Sequence, residues 1–184
     1  MKKTYVFPYG HGTQFFELDD RAVAAELHTA DCPVMPPERI RATVLETIRH
    51  PIGTKTLDET VKPGDTAAFI CNDLTRVANS FDFMPVFLDE MNRLGVPDEN
   101  MTIVFALGAH RDMTPEEMAQ AVGEDVARRV KMVNSQAKRT EEFEYVGTTS
   151  RGTPVNIHRA LCHVDHVFLT GTVVQHEFAG YGGG

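Results

Sequence analysis

Three short apolar runs, each passing into a polar exit, organise the chain. Thr66-Ala-Ala-Phe-Ile-Cys71 leads into Asn72-Asp-Leu-Thr-Arg76, Met101-Thr-Ile-Val-Phe-Ala106 into Gly108-Ala-His-Arg-Asp112, and His166–Thr170 into a glycine-rich tail. Apolar runs of this length without alternation read as strands buried on both faces of a parallel sheet. Helical patterns lie around them. Pro37 to about His50 carries Ile40, Val44 and Ile48 on one face, and roughly Phe83–Leu94 is closed by Gly95, a good residue just past a helix end. Thr114-Pro-Glu-Glu117 combines an N-cap threonine, a proline in the first turn and the reciprocal glutamate of a capping box. Lys62-Pro-Gly-Asp65 reads as a turn, Tyr5–Phe7 as a short strand closed by Pro8-Tyr9-Gly10, and Phe143–Thr148 with Pro154–Ile157 as a strand pair around Ser150-Arg-Gly152. The pattern predicts an α/β fold, a single domain with a mainly parallel, Rossmann-like sheet flanked by helices. Strands 66–71, 101–106 and 166–170 should lie side by side.

Composition narrows the partners. The 184 residues, 42% of them hydrophobic, suffice for one sizeable core. A formal charge of −8 argues against non-specific nucleic-acid binding, which needs a basic face, and favours a small molecule. No apolar stretch approaches a membrane span, and the opening Met-Lys-Lys-Thr-Tyr-Val-Phe-Pro reaches proline before any signal-like apolar region. Three cysteines, Cys32, Cys71 and Cys162, are an odd set without C-x-x-C spacing. That fits a reducing, cytoplasmic setting.

The chemistry gathers where the strands end. Asp73, Thr75 and Arg76, then His110 and Arg111, then Gln175 and His176 each follow the C-terminal end of an apolar strand, the edge at which open α/β sheets bind ligands. Each also has a structural reading: Asp73 and Thr75 as turn or cap residues, Arg76 as a surface charge, His110 as a histidine satisfied by backbone. Convergence of the three segments is what favours a site. Other signals fail on spacing. His176-Glu177 begins like a zinc-protease motif but the second histidine position holds Gly180, and the group His158, Cys162, His163 and His166 crosses turns that scatter its side chains. No metal ligand set is assigned. The terminal glycines match neither a P-loop nor a dinucleotide fingerprint.

At these residues the chain resembles the N-terminal domain of the nickel-dependent lactate racemase family. Asp73-Leu-Thr-Arg76 is similar to its D-x-T-R motif, Gly108-Ala-His110-Arg111 to its G-x-H-R segment, and Gly152-Thr-Pro-Val155 to its G-T-P-V strand. Thr170-Gly171 followed by His176-Glu-Phe-Ala-Gly-Tyr-Gly-Gly-Gly184 resembles T-G...H-x-x-A-G-[FY]-S-G-G-x-K, with Gly182 where serine is usual. The resemblance implies an isomerase, a racemase or epimerase of small 2-hydroxy acids, working by reversible hydride transfer on a nickel pincer nucleotide (pyridinium-3,5-bisthiocarboxylic acid mononucleotide nickel). It implies His110 and His176 as paired acid/bases, Arg76 on the substrate carboxylate, and Asp73, Thr75, Gly183 and Gly184 facing the cofactor. The family's cofactor lysine would fall at position 186, and its C-terminal domain supplies further groups. The chain therefore reads as residues 1–184 of a longer parent, cut before that lysine, expected to lack bound cofactor and turnover by itself. Two other readings stay open: a non-catalytic nucleotide- or phosphate-binding module, and another acid/base isomerase or lyase on the same sheet.

Overall fold

The computed structural model describes residues 1–28, 33–76 and 78–182 and divides into two compact units, Met1–Val34 and Met35–Gly184. The sequence pattern indicated a single domain; the separate N-terminal unit is an addition to it. That unit is an antiparallel hairpin of β1 (Lys2–Tyr9) and β2 (Gly12–Asp19), longer than the predicted Tyr5–Phe7 strand and with Pro8 inside the pairing. A two-residue turn joins the strands, and Gly10 supplies the positive φ of 57° that it needs. Phe16 stacks between Tyr5 and Phe7 at 5.7 and 5.3 Å, while Glu26 accepts a hydrogen bond from Tyr5 and pairs with Lys3.

The second unit carries the sheet. In chain order its elements are α1 (Pro37–Arg49), α2 (Leu57–Thr60), β3 (Ala67–Asn72), α3 (Ser80–Arg93), β4 (Met101–Gly108), α4 (Pro115–Val122), α5 (Glu124–Arg129), β5 (Lys131–Gln136), β6 (Phe143–Thr148), β7 (Pro154–His158), β8 (His166–Leu169), β9 (Val174–His176) and β10 (Gly180–Gly182). Four strands form a wholly parallel sheet in the order β5-β4-β3-β8. The three predicted strands are neighbours as expected. β5 was not anticipated, because Lys131-Met-Val-Asn-Ser-Gln136 mixes polarities as an edge strand can. From β3 the chain steps outward through β4 to β5 and then returns to the other side of β3. The order thus reverses between β3 and β8, the kind of switch point where open sheets leave a crevice.

Packing follows from the apolar runs. Ala67, Phe69 and Cys71 of β3 join Ile103 and Phe105 of β4 in a core with Met84, Leu88 and Met91 of α3. Phe69 meets Phe87 and Phe168 at ring distances of 4.9 and 5.2 Å, which ties β8 and α3 to the central strand. α3 starts earlier than predicted, at Ser80, and ends at Gly95 as expected; Gly95 has φ 90°, and a Cβ there would lie 2.8 Å from Pro63. α1 docks on α3 through charge. Arg49 forks onto Glu90 with two 2.8 Å bonds, Arg93 adds a third at 3.0 Å, and these hold the buried Glu90 carboxyl down at about 2.

Two contacts fix the start of the crevice-forming pair. At the N-terminal ends of β3 and β8, Asp165 accepts from the Thr66 amide and hydroxyl at 2.9 and 2.7 Å, and His166 Nε2 lies 2.8 Å from Asp65 Oδ2. At the other end Thr170 donates its amide to Ile70 at 3.0 Å and its hydroxyl at 2.8 Å.

Candidate functional site

Polar side chains collect where β3 and β4 end. Asp73 directly follows β3 and is 6% exposed, so its carboxylate needs partners. One oxygen, Oδ1, accepts from the Thr75 amide at 3.0 Å and the Thr75 hydroxyl at 2.6 Å; the other, Oδ2, lies 2.6 Å from His110 Nδ1. Burial raises the carboxyl's pKa, but the bonds from Thr75 and His110 outweigh it and hold the group below the usual carboxylate range. An ionised carboxylate has no proton to give, so His110 Nδ1 is the donor. The local reading of Asp73 as a turn residue and the reading of it as a site residue are both satisfied by this one side chain.

His110 is presented by a short loop after β4 that β5 clamps from beside it. Gln136 donates to the His110 carbonyl, the Ala137 amide reaches the Gly108 carbonyl at 2.9 Å, and Asn134 both accepts from and donates to the Met113 backbone at 3.3 and 3.0 Å. Neither Gln136 nor Asn134 was singled out in the sequence. The available signal was polar amides at the end of a strand, legible only once β5 is recognised. His110 itself remains half exposed, and its Nε2 makes no hydrogen bond among the described residues.

The two arginines beside this pair differ. Arg111 forks onto Glu117 at 2.7 and 2.6 Å, which draws the Glu117 carboxyl down to about 2 and locks the first turn of α4. It is a structural residue. The Arg76 guanidinium bonds only to the carbonyl and hydroxyl of Thr75, at 3.1 and 3.3 Å, among the described residues, and has no carboxylate partner there. It borders a cavity of about 280 Å³ together with Asn72, Asp73, Asn79 and Ser80. Asn79 there has φ 51°, the one positive value outside glycine among the described residues. A larger groove of about 670 Å³ runs along the outer edge of β5, but Arg139 within it is already paired with Asp112 at 2.6 Å. Chemistry, not size, selects the smaller cavity.

His176 leaves the same C-terminal edge by another route. Residues beyond Thr170 lead into the β9–β10 hairpin, where His176 is exposed and its Nδ1 accepts from the Phe178 and Ala179 amides at 3.1 and 3.3 Å. The structure therefore joins Asp73, Thr75, Arg76 and His110 directly, and places His176 beyond the neighbouring strand without a bond to them. Gly183, Gly184 and Cys32 lie outside the described residues. Cys71 and Cys162 are free thiols, and burial pushes Cys71 up to about 11. Among the described residues no group of three or more His, Cys, Asp and Glu side chains could hold a metal ion. The histidines first set aside have separate partners: His158 accepts from the Ala160 amide, His163 faces Glu144 and His166 faces Asp65. No helix among the described residues is long and apolar enough to cross a membrane.

A carboxylate–histidine pair, and a guanidinium with no carboxylate partner among the described residues, lie at the carboxyl edge of a parallel sheet, the edge at which α/β domains bind ligands. The chain belongs to the lactate racemase N-terminal domain family, which matches residues 9–184. It is similar to the lactate racemases of Thermoanaerobacterium thermosaccharolyticum and Lactiplantibacillus plantarum, 28% and 26% identical over 177 residues, which cover 96% of this chain. It spans 41% and 42% of those relatives' lengths. The solved lactate racemase apoprotein from T. thermosaccharolyticum shares the fold with a TM-score of 0.80 at 28% identity, over 98% of this chain and 41% of that one.

Proposed function

We propose that the chain is the substrate- and cofactor-facing part of a lactate racemase-like enzyme that racemises or epimerises a small 2-hydroxy acid. The observation that carries this reading is Arg76, a cation with no anionic partner among the described residues, next to the Asp73–His110 pair. Its planar fork suits a carboxylate, and one fixed carboxylate leaves the α-carbon free to invert. His110 Nε2, two bonds from an anchored Nδ1, is positioned to exchange a proton with the substrate hydroxyl. His176 serves the other side of the substrate.

The cofactor implied by the family, a nickel pincer nucleotide, would supply reversible acceptance of the α-hydrogen as hydride. The donor set here suits a nucleotide rather than a bare metal: Arg76, Asn72, Asn79 and Ser80 border the cavity, and convergent metal ligands are not among the described residues. Asp73, Thr75, Gly183 and Gly184 would face that group. On this reading the protein is cytoplasmic, binds neither nucleic acid nor membrane, and works with a C-terminal domain of the same parent, so that the 184-residue chain alone is folded but without turnover.

The test is racemisation of a panel of 2-hydroxy acids by the complete, cofactor-loaded protein, read beside cofactor content. Turnover that falls in Arg76→Lys and His110→Ala at unchanged cofactor content supports the reading. Retained mononucleotide binding with no turnover on any 2-hydroxy acid would favour a binding module instead.

A further inference from the structure

The two histidines of the proposed site are held through the same ring atom in opposite senses. His110 Nδ1 faces Asp73 Oδ2 at 2.6 Å, and Asp73 is pinned from its other side by the Thr75 amide and hydroxyl. The carboxylate accepts, so the His110 proton sits on Nδ1 and Nε2 carries a lone pair. His176 Nδ1 instead receives two backbone amides, Phe178 N at 3.1 Å and Ala179 N at 3.3 Å. Two donors aimed at one nitrogen leave no room for a proton on it. The His176 proton therefore sits on Nε2, and the charged ring, with N–H at both positions, would set a donor against two donors.

We infer that Asp73 is a positioning residue for His110, keeping its proton on Nδ1 and Nε2 free to accept, and that the resting protein holds His176 in the opposite tautomer with its proton on Nε2. At His110 the substrate O–H bond breaks as Nε2–H forms, and the new positive charge is stabilised by Asp73. The roles in catalysis rest on the racemase reading. The ring states themselves do not, since they are properties of the resting protein.

Asp73→Asn is the informative substitution. Thr75 directs both of its donors at Oδ1, so the amide oxygen of an asparagine belongs there and its NH₂ turns to His110. A donor at that place requires a lone pair on Nδ1 and moves the His110 proton to Nε2. The measurement is a long-range ¹H–¹⁵N correlation spectrum of the protein labelled in histidine, without cofactor or substrate, above the ordinary histidine pKa of about 6.5. Signals are assigned with His110→Gln and His176→Gln. We expect Nδ1–H for His110, Nε2–H for His176, and conversion of His110 to Nε2–H in Asp73→Asn. His166, which is bonded to Asp65 at the opposite end of the sheet, should keep its signal and report that the fold is intact. The inference is overturned if the wild-type rings share one tautomer, or if Asp73→Asn leaves His110 unaltered in a folded protein. The wild-type spectrum decides even if the variant does not fold. In the complete enzyme, at matched cofactor content, Asp73→Asn should lower kcat by the order of 10²–10⁴-fold with little change in KM. Ring states as expected in a protein that racemises nothing would remove the catalytic roles and leave standing the fixing of the His110 ring by Asp73.

Discussion

The same chemical pair, an aspartate against a histidine, occurs at both ends of the parallel sheet and does different things there. At the carboxyl edge, Asp73 holds His110 by Nδ1 at 2.6 Å, and the histidine side chain stays 51% exposed with Nε2 turned outward. At the amino edge, Asp65 takes His166 by Nε2 at 2.8 Å, and that side chain is 18% exposed beside the Asp165–Thr66 bonds. The first leaves Nε2 without a hydrogen bond among the described residues and half of the side chain in water. The second is a clasp whose outward-reaching atom has been spent on holding β8 to β3. What separates a tool from a tie is which nitrogen the carboxylate consumes and how much of the ring remains in water.

The sharpest way to break this contrast is to remove each histidine's function in turn. In the cofactor-loaded enzyme His110→Ala should lose roughly 10²–10⁴-fold in turnover per folded molecule, the usual contribution of a general acid/base, beyond the fall in thermal midpoint that comes from leaving the buried Asp73 Oδ2 without its partner. If activity falls only as far as the folded fraction, His110 is a tie as well. Arg76→Lys should lose less, about 10–100-fold in kcat/KM, shared between substrate affinity and rate, because lysine keeps the charge without the planar fork. Substrate affinity equal to wild type would remove Arg76 from the carboxylate.

Acid should expose what the two pairs share. The Asp65 carboxyl is held down by His166 and the Lys62 amide, and Asp73, despite its burial, by Thr75 and His110; Glu90 sits at about 2. Groups whose values are depressed in the fold stabilise it above the ordinary carboxylate pKa of about 4, and that contribution is lost as pH falls through the depressed values. Circular dichroism should therefore show loss of structure beginning below about pH 4. Loss between pH 8 and 6 would point to the histidines as the linked groups. The smallest effect belongs to Asp65→Asn, which should lower the thermal midpoint by a few degrees while the His110 ring state and the activity per folded molecule stay as they were. A change in activity larger than the change in folded fraction would mean that the two ends of the sheet communicate.

Much of this architecture was legible because apolar runs are a strong signal. β3, β4 and β8, the N-cap of α4 and the β6–β7 pair follow directly from runs, caps and turn residues. β5 was hidden because its alternate positions are polar, and the β9–β10 hairpin because three-residue strands leave almost no periodicity. For the site, Asp73, Arg76 and His110 could be placed at one edge from their position after strands. Their pairing could not, since Asp73 meets His110 only through the parallel register that puts Asn72 beside Ala106. The distinction between Arg76 and Arg111 was equally invisible: it depends on Glu117 lying where a fork can reach it.

The amino-edge clasp also sets an order of assembly. Thr66 and Asp165 are 99 residues apart in sequence, so β8 can join β3 only after β4, β5 and their helices have emerged and the intervening chain has closed into a loop. Contacts of such separation form late in folding, after local ones have shortened the search. The Asp73–His110 corner needs β3, β4 and the β5 clamp but not β8; its two residues are 37 apart in sequence, and it can be complete before the crevice exists. A nascent chain thus forms the Asp73–His110 pair first, and encloses the crevice beside it only when the fourth strand arrives.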